Sequence, residues 1–416
     1  FEESEDQAEK TAYADDAAAG RVRALEAMGR DAEAARGWDR WTERYGTGPL
    51  GPEMAVARAW NAIRRDSLAE ATELIHGAVA TAPWLSDDPR VELALSTLAF
   101  LEGRYSEVSV EPDGSPVDDA VVYLTALTLQ MRGKPLDAAA HFQQLVERYP
   151  DSRLRDRAML AKANVFLESG AYRSASEEFA RVAELARDGS VIAEARLRAA
   201  AAVYFDGDIE SGAGRLREVA AAYHGKDTGA RAQLLLAEAT LGGGDYDSAI
   251  IEFNRVLTTY FQHALAASAQ YRVGRCLDAL GRHAEATSTY QAVVTGYPTS
   301  REGPPAAYLA GAGLLAQDRP DAAVPYFQIV LDRYASLQGE GTIEFATPER
   351  QELVEGSLCL LQLSYHRLGY LGMLSGMPHL MLQRMPPSES VWREYAMLID
   401  ADALASQGRH AEAQVT

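Results

Sequence analysis

Apolar residues recur along this chain on two scales. Within segments of about 14 residues they fall three and four apart, which predicts amphipathic α-helices. Over longer distances the whole pattern returns every 37 residues. Anchored on a helix-ending glycine, the period runs through Gly133, Gly170, Gly207, Gly244 and Gly281, with Asp318 in the sixth place. Upstream, Gly29, Asp66 and Gly103 step by the same 37. Five residues past the anchor the side chain is small: Ala34, Ala71, Ala138, Ala175, Gly212, Ala249, Ala286 and Ala323. Nine past it the side chain is large: Trp38, Ile75, Phe142, Phe179, Leu216, Phe253, Tyr290 and Phe327. Seven before it the residue is small again, as at Ala126, Ala163, Ala237, Gly274 and Gly311.

These residue types at these intervals describe a helical hairpin. Glycine at the end of a first helix supplies a left-handed cap without a Cβ penalty. Small residues before and after it let two antiparallel helices approach closely, and the large residue fills the space they leave. Pro150 and Pro298 follow a recurrent Tyr and stop the second helix. One such pair cannot bury both its faces, so neighbours must stack into an α-solenoid.

The period breaks twice. Gly103 to Gly133 is a step of 30, and Val110–Pro116 holds two Pro and one Gly where a second helix belongs. A short or missing helix is expected there. After Asp318 the next anchor is Gly369, a step of 51, which predicts an insertion around Ala335–Pro348. Gly408 opens one further repeat. The chain therefore reads as N-terminal repeats at 1–117 with an irregular 106–117 stretch, a regular array at 118–334, an inserted loop at 335–350, and degenerate repeats at 351–416.

The Gly-x-Tyr-x-x-Ala-x-x-x-Phe pattern at Gly170–Phe179 and Gly244–Phe253 resembles the core of a tetratricopeptide repeat. The resemblance implies an all-α, right-handed superhelix of antiparallel helix pairs that binds proteins or peptides and does not catalyse. The usual unit is 34 residues. The longer unit here, ending in Phe142–Ser152, is similar to that of BamD-like outer-membrane assembly lipoproteins and CpoB-like periplasmic coordinators. It implies a scaffold in a bacterial cell-envelope complex, located in the periplasm. A cytoplasmic sensor module controlling an attached effector domain, and an accessory region of an enzyme, are the competing readings.

Composition narrows the partners. The formal charge is −20, from 40 basic and 60 acidic residues. Such a surface repels phosphate backbones and anionic lipid, so nucleic acid is not an expected partner. The Ala/Arg bias, with lysine confined to Lys10, Lys134, Lys162 and Lys226, points to a GC-rich bacterial genome. Cys276 and Cys359 lie in separate predicted helices without Cys-x-x-Cys spacing, so they read as small buried hydrophobes. No apolar run reaches the length of a membrane span. Phe1 is not an initiator Met and Thr416 falls inside a predicted helix, so both ends are expected to be trimmed, with any anchor outside the chain.

No catalytic constellation is present: neither His-Glu-x-x-His, Gly-x-Ser-x-Gly, a phosphate loop nor a dinucleotide fingerprint occurs. Gly242–Gly244 falls on a repeat anchor and reads as a turn. His283 and His410 share one repeat position and are expected to pack in a turn. No metal site or cofactor is implied.

In the family the first helices line the concave face. That register places Arg157, Asn164, Arg198, Arg231, Glu238, Arg272 and Arg275 toward a groove. Arginine grips carboxylates bidentately, so the groove is expected to take an acidic segment or a C-terminal carboxylate. Ordinary solvated, ion-paired Arg is the plainer alternative. Met373, Met377, Met381 and Met385 recur four apart, interrupted by Pro378, and read first as core and second as a pliable docking stripe.

Overall fold

The computed structural model describes residues 14–108, 110–112, 114–335, 345–370, 384–386 and 390–410. Among them are nineteen α-helices and no strand. Contacts divide the chain into two compact units, 1–202 and 203–416. The boundary falls within the regular array.

The first unit begins with α1 (Ala14–Ala27), α2 (Asp31–Tyr45), α3 (Gly51–Arg64) and α4 (Leu68–Thr81). It continues through α5 (Pro89–Leu101), α6 (Asp118–Met131), α7 (Pro135–Arg148), α8 (Arg155–Glu168) and α9 (Tyr172–Leu185) into α10 (Gly189–Phe205). The second unit holds α11 (Ile209–Ala222), α12 (Asp227–Gly242), α13 (Tyr246–Thr259), α14 (Leu265–Ala279) and α15 (His283–Gly296). It ends with α16 (Gly303–Ala316), α17 (Pro320–Tyr334), α18 (Pro348–Arg367) and α19 (Val391–Ser406). Within each unit helices pack chiefly on their sequence neighbours. Each unit therefore has a string of small cores, as a solenoid requires.

The repeat register explains each core. The small residue after the anchor is wholly inaccessible at Ala34, Ala71, Ala138, Ala175, Ala249, Ala286 and Ala323. The large residue four further on is equally buried at Trp38, Ile75, Phe142, Phe179, Phe253 and Phe327. Its partner ten before the anchor closes over it edge-on in several repeats. Tyr123 meets Phe142 at 5.6 Å and Tyr308 meets Phe327 at 6.4 Å between ring centroids. Where Gly replaces Ala seven before the anchor, the ring lies closer. A Cβ on Gly274 would fall 2.4 Å from the Tyr290 ring, and one on Gly311 would fall 2.7 Å from Phe327.

All eleven anchors are left-handed, from Gly29 (φ 71°) through Gly170 (φ 76°) to Gly408 (φ 76°), with Asp66 (φ 61°) and Asp318 (φ 56°) among them. At most anchors the following residue donates its N–H to the carbonyl five residues back, as from Ala171 to Phe166 at 2.9 Å and from Arg282 to Leu277 at 2.8 Å. That closes the helix in a Schellman motif. A Cβ on Gly170 would meet nothing within 4 Å, so its demand is purely conformational. Gly170→Ala is expected to lose about 1–2 kcal/mol, and Asp66→Gly to change stability slightly in the opposite direction. Urea midpoints of the two variants check both signs.

The first break in period is visible in the structure. After Gly103 a three-residue 3-10 turn, Tyr105–Glu107, stands in place of a second helix. Val108 and Val110 fill the vacated space against Leu93, Ala99, Val121 and Leu124. Further on, residues 336–344 of the predicted insertion lie outside the described residues, and Thr347 caps α18. This helix is 20 residues long against the 14 usual in the array.

Candidate partner-binding face

The seven candidate residues lie on first helices, three in the first unit and four in the second. Arg157 and Asn164 are on α8, Arg198 on α10, Arg231 and Glu238 on α12, and Arg272 and Arg275 on α14. Their geometry repeats. Arg198 donates through Nη1 to Oδ1 of Asn164, and Arg272 Nη2 stands 3.3 Å from Oε1 of Glu238. Both contacts join the residue six before one anchor to the residue nine before the next, a sequence separation of 34. The first-helix face is thus stitched from repeat to repeat.

Arg198, Arg231 and Arg275 also have acceptors at hand. Arg198 Nε donates to Glu194 Oε1 at 2.6 Å, and Arg231 faces Asp227 at 3.8 Å. Arg275 is exposed and hydrogen-bonded to Tyr271, a contact that raises the guanidinium above its ordinary range. Arg157 is exposed. Side-chain exposures of 33% for Arg198 and 43% for Arg272 keep these pairs in contact with water. Each is therefore worth about 1 kcal/mol or less, and an incoming carboxylate can exchange for the resident one at small cost.

The methionine series is reached only at its end. Met385 is 4% exposed and belongs to the core around α17, α18 and α19. Met373, Met377 and Met381 lie outside the described residues. The thiols are buried, and burial pushes Cys359 up to about 11 and raises Cys276 as well. Such thiols carry little nucleophilic thiolate at neutral pH. His283 departs from the expected packing role. Its side chain is 72% exposed at the start of α15, with Nδ1 3.1 Å from Oδ1 of Asp278. The neighbouring Tyr290 hydroxyl donates to Oδ2 of the same Asp278 at 2.8 Å, which satisfies the buried ring and leaves the histidine in solvent. No described helix is long and apolar enough to cross a membrane.

Two features escaped the sequence reading. One is the inter-repeat stitching, which depends on how successive hairpins stack. The other is a slot beside α4, whose signal was a glycine inside a helix at no position of the repeat.

Tetratricopeptide-repeat family models match residues 120–152, 197–260 and 268–300. No curated protein matches the chain. Among solved structures, the chain is similar to pilF of Pseudomonas aeruginosa, with 18% identity over 52% of this chain and 92% of that one and a TM-score of 0.36. It is also similar to a tetratricopeptide repeat protein of Parabacteroides merdae, with 12% identity over 74% and 98% of the two chains and a TM-score of 0.40. The matched segments coincide with the helical hairpins whose anchors, small residues and buried rings were traced above, and the chain is a tetratricopeptide-repeat protein.

Proposed function

We propose that this protein is a non-catalytic scaffold that holds partner proteins or peptides along the first helices of its repeats, as a subunit of a bacterial cell-envelope complex. The observation that carries the reading is the first-helix face itself. It presents arginines at recurring positions whose resident partners are weak and half-solvated. That arrangement suits carboxylate-bearing segments or a C-terminal carboxylate, because a guanidinium changes one carboxylate for another without losing hydrogen bonds. The periplasmic setting draws its support from the 37-residue unit and its likeness to envelope scaffolds.

The test is capture of the tagged native protein from detergent-solubilised envelopes after cross-linking. Stoichiometric partners, weakened at least tenfold by the paired reversals Arg198→Glu and Arg272→Glu, are the expected result. Recovery from the soluble fraction without partners would contradict the proposal.

A further inference from the structure

A slot of about 430 Å³ opens in the first unit between α2 and α4, with the start of α3 as its floor. Its glycines fall into two kinds. A Cβ on Gly51 would sit 2.2 Å from the Gly46 carbonyl oxygen, and one on Gly46 would sit 2.5 Å from that of Thr42. Those two are glycine because backbone approaches backbone. Gly77 is different. It lies inside α4, is exposed, and a Cβ there would meet nothing within 4 Å. A helix-interior glycine weakens its helix, and the packing of the fold gives no reason for this one. Its effect is to leave the slot open.

The slot has a repeat-equivalent in the second unit. Gly303-Pro304 opens α16 as Gly51-Pro52 opens α3, and Val294 and Ile329 flank a cavity of about 320 Å³. There Ile329 occupies the position of Gly77. In α8 the residue matching Gly51 is Arg155, whose Nη1 reaches across to the Leu185 carbonyl at 3.2 Å. The notch is therefore a property of the hairpin stack that side chains narrow, as Ile329 does, or cross, as Arg155 does.

The walls of the open slot define what enters it. Pro52, Ala55 and Leu74 give it an apolar lining. Its lip is acidic. Among the described residues Glu73 is exposed and engaged by no hydrogen bond or ion pair, while Arg58 is already shared between Asp39 at 2.8 Å and Glu70 at 3.4 Å. Arg65 also holds Glu70, at 2.9 Å. With a formal charge of −20 on the chain, complementarity favours a cationic occupant. We propose that this slot receives an arginine or lysine from an extended basic segment of a partner protein, the aliphatic stem on Pro52, Ala55 and Leu74 and the cationic head at Glu73. Long basic side chains bury their stems and leave their heads in water in this manner. The inference rests on the protein-binding reading above and adds to it a second contact of opposite charge preference.

The probe is a fluorescein-labelled peptide of alternating Arg and Leu, with an alternating Glu and Leu peptide as control, read by anisotropy on the full chain. The expected result is saturable binding of the basic peptide that weakens with salt, while any binding of the acidic one, at the first-helix arginines, is unchanged by Gly77→Leu. Gly77→Leu puts a side chain into the slot from an unstrained helical position and keeps the helix, so it is expected to weaken the basic peptide at least tenfold. Glu73→Lys is expected to do the same, with circular dichroism unchanged in both. Basic-peptide binding untouched by Gly77→Leu, or an equal loss of acidic-peptide binding in that variant, would overturn the proposal. So would failure of the parent chain to bind the basic peptide at low salt. If the native protein nevertheless captures its partners equally with and without Gly77→Leu, the scaffold reading stands and the slot falls. If the parent captures none, the scaffold reading itself fails.

Discussion

Phe253→Ala is expected to cost about 3–5 kcal/mol, the range for emptying a wholly buried aromatic site. Phe253 is 0% exposed and packs in one core with Ala237, Ala249 and Val256. Two of the residues that the repeat register sets in that core, Ala237 and Ala249, have no length with which to refill the cavity. In a solenoid the loss is local first, because each hairpin is held only by the adjacent ones. Amide exchange is therefore expected to quicken most in α12–α15 and less in α18. A uniform loss across the second unit, or a change below about 1 kcal/mol, would show that the ring is not the element that holds the hairpin.

The second large effect lies where the register is weakest. Glu355 on α18 is 0% exposed. Its Oε1 accepts from Gln351 Nε2 at 3.1 Å and lies 3.4 Å from Arg393 Nη1 on α19. Arg393 and Gln351 also both donate to the Pro386 carbonyl, at 3.0 and 2.6 Å. Removing the cation takes away the guanidinium that faces a wholly buried carboxylate. Arg393→Ala is accordingly expected to destabilise the second unit by about 3 kcal/mol. Combining Arg393→Leu with Glu355→Leu is expected to recover most of that loss, since the buried pair contributes little beyond its own desolvation. Denaturant midpoints of the single and double variants decide the matter. A single variant within about 0.5 kcal/mol of the parent would mean that water already reaches Glu355.

Local chemistry made the fold legible. Left-handed termini demand Gly or a tolerant Asp, so the anchors stood out in the sequence, including Asp66 and Asp318 (φ 61° and 56°). The small and large positions were legible for the same reason: one hairpin repeated many times leaves a residue-type signal at each contact. The loss of a second helix after Gly103 showed in its two prolines.

Contacts between different repeats were harder to read. The pairing of Asn164 with Arg198 and of Glu238 with Arg272 needs the offset between stacked hairpins, which no single hairpin encodes. The seven candidates lie on first helices, and their mutual pairing became visible only in three dimensions. Glu355 and Arg393 lie beyond the insertion, where the 37-residue step is lost. Nothing in the sequence marked that glutamate as buried rather than as one more acidic surface residue. Gly77 was readable in principle, as a glycine inside a helix and outside the repeat positions, but its meaning depended on the Gly51-Pro52 turn across from it.

The most direct measurement of the central claim is photo-cross-linking of the native protein in its own cells, with the photoreactive residue placed in turn at Arg157, at Arg275 and at Ile251. Arg157 and Arg275 are exposed on first helices, and Ile251 is 55% exposed on a second helix. A scaffold that holds its partners along the first helices predicts discrete protein adducts from the first two positions and few or none from Ile251. Adducts from Ile251 alone, or none from any position at native abundance, would contradict it.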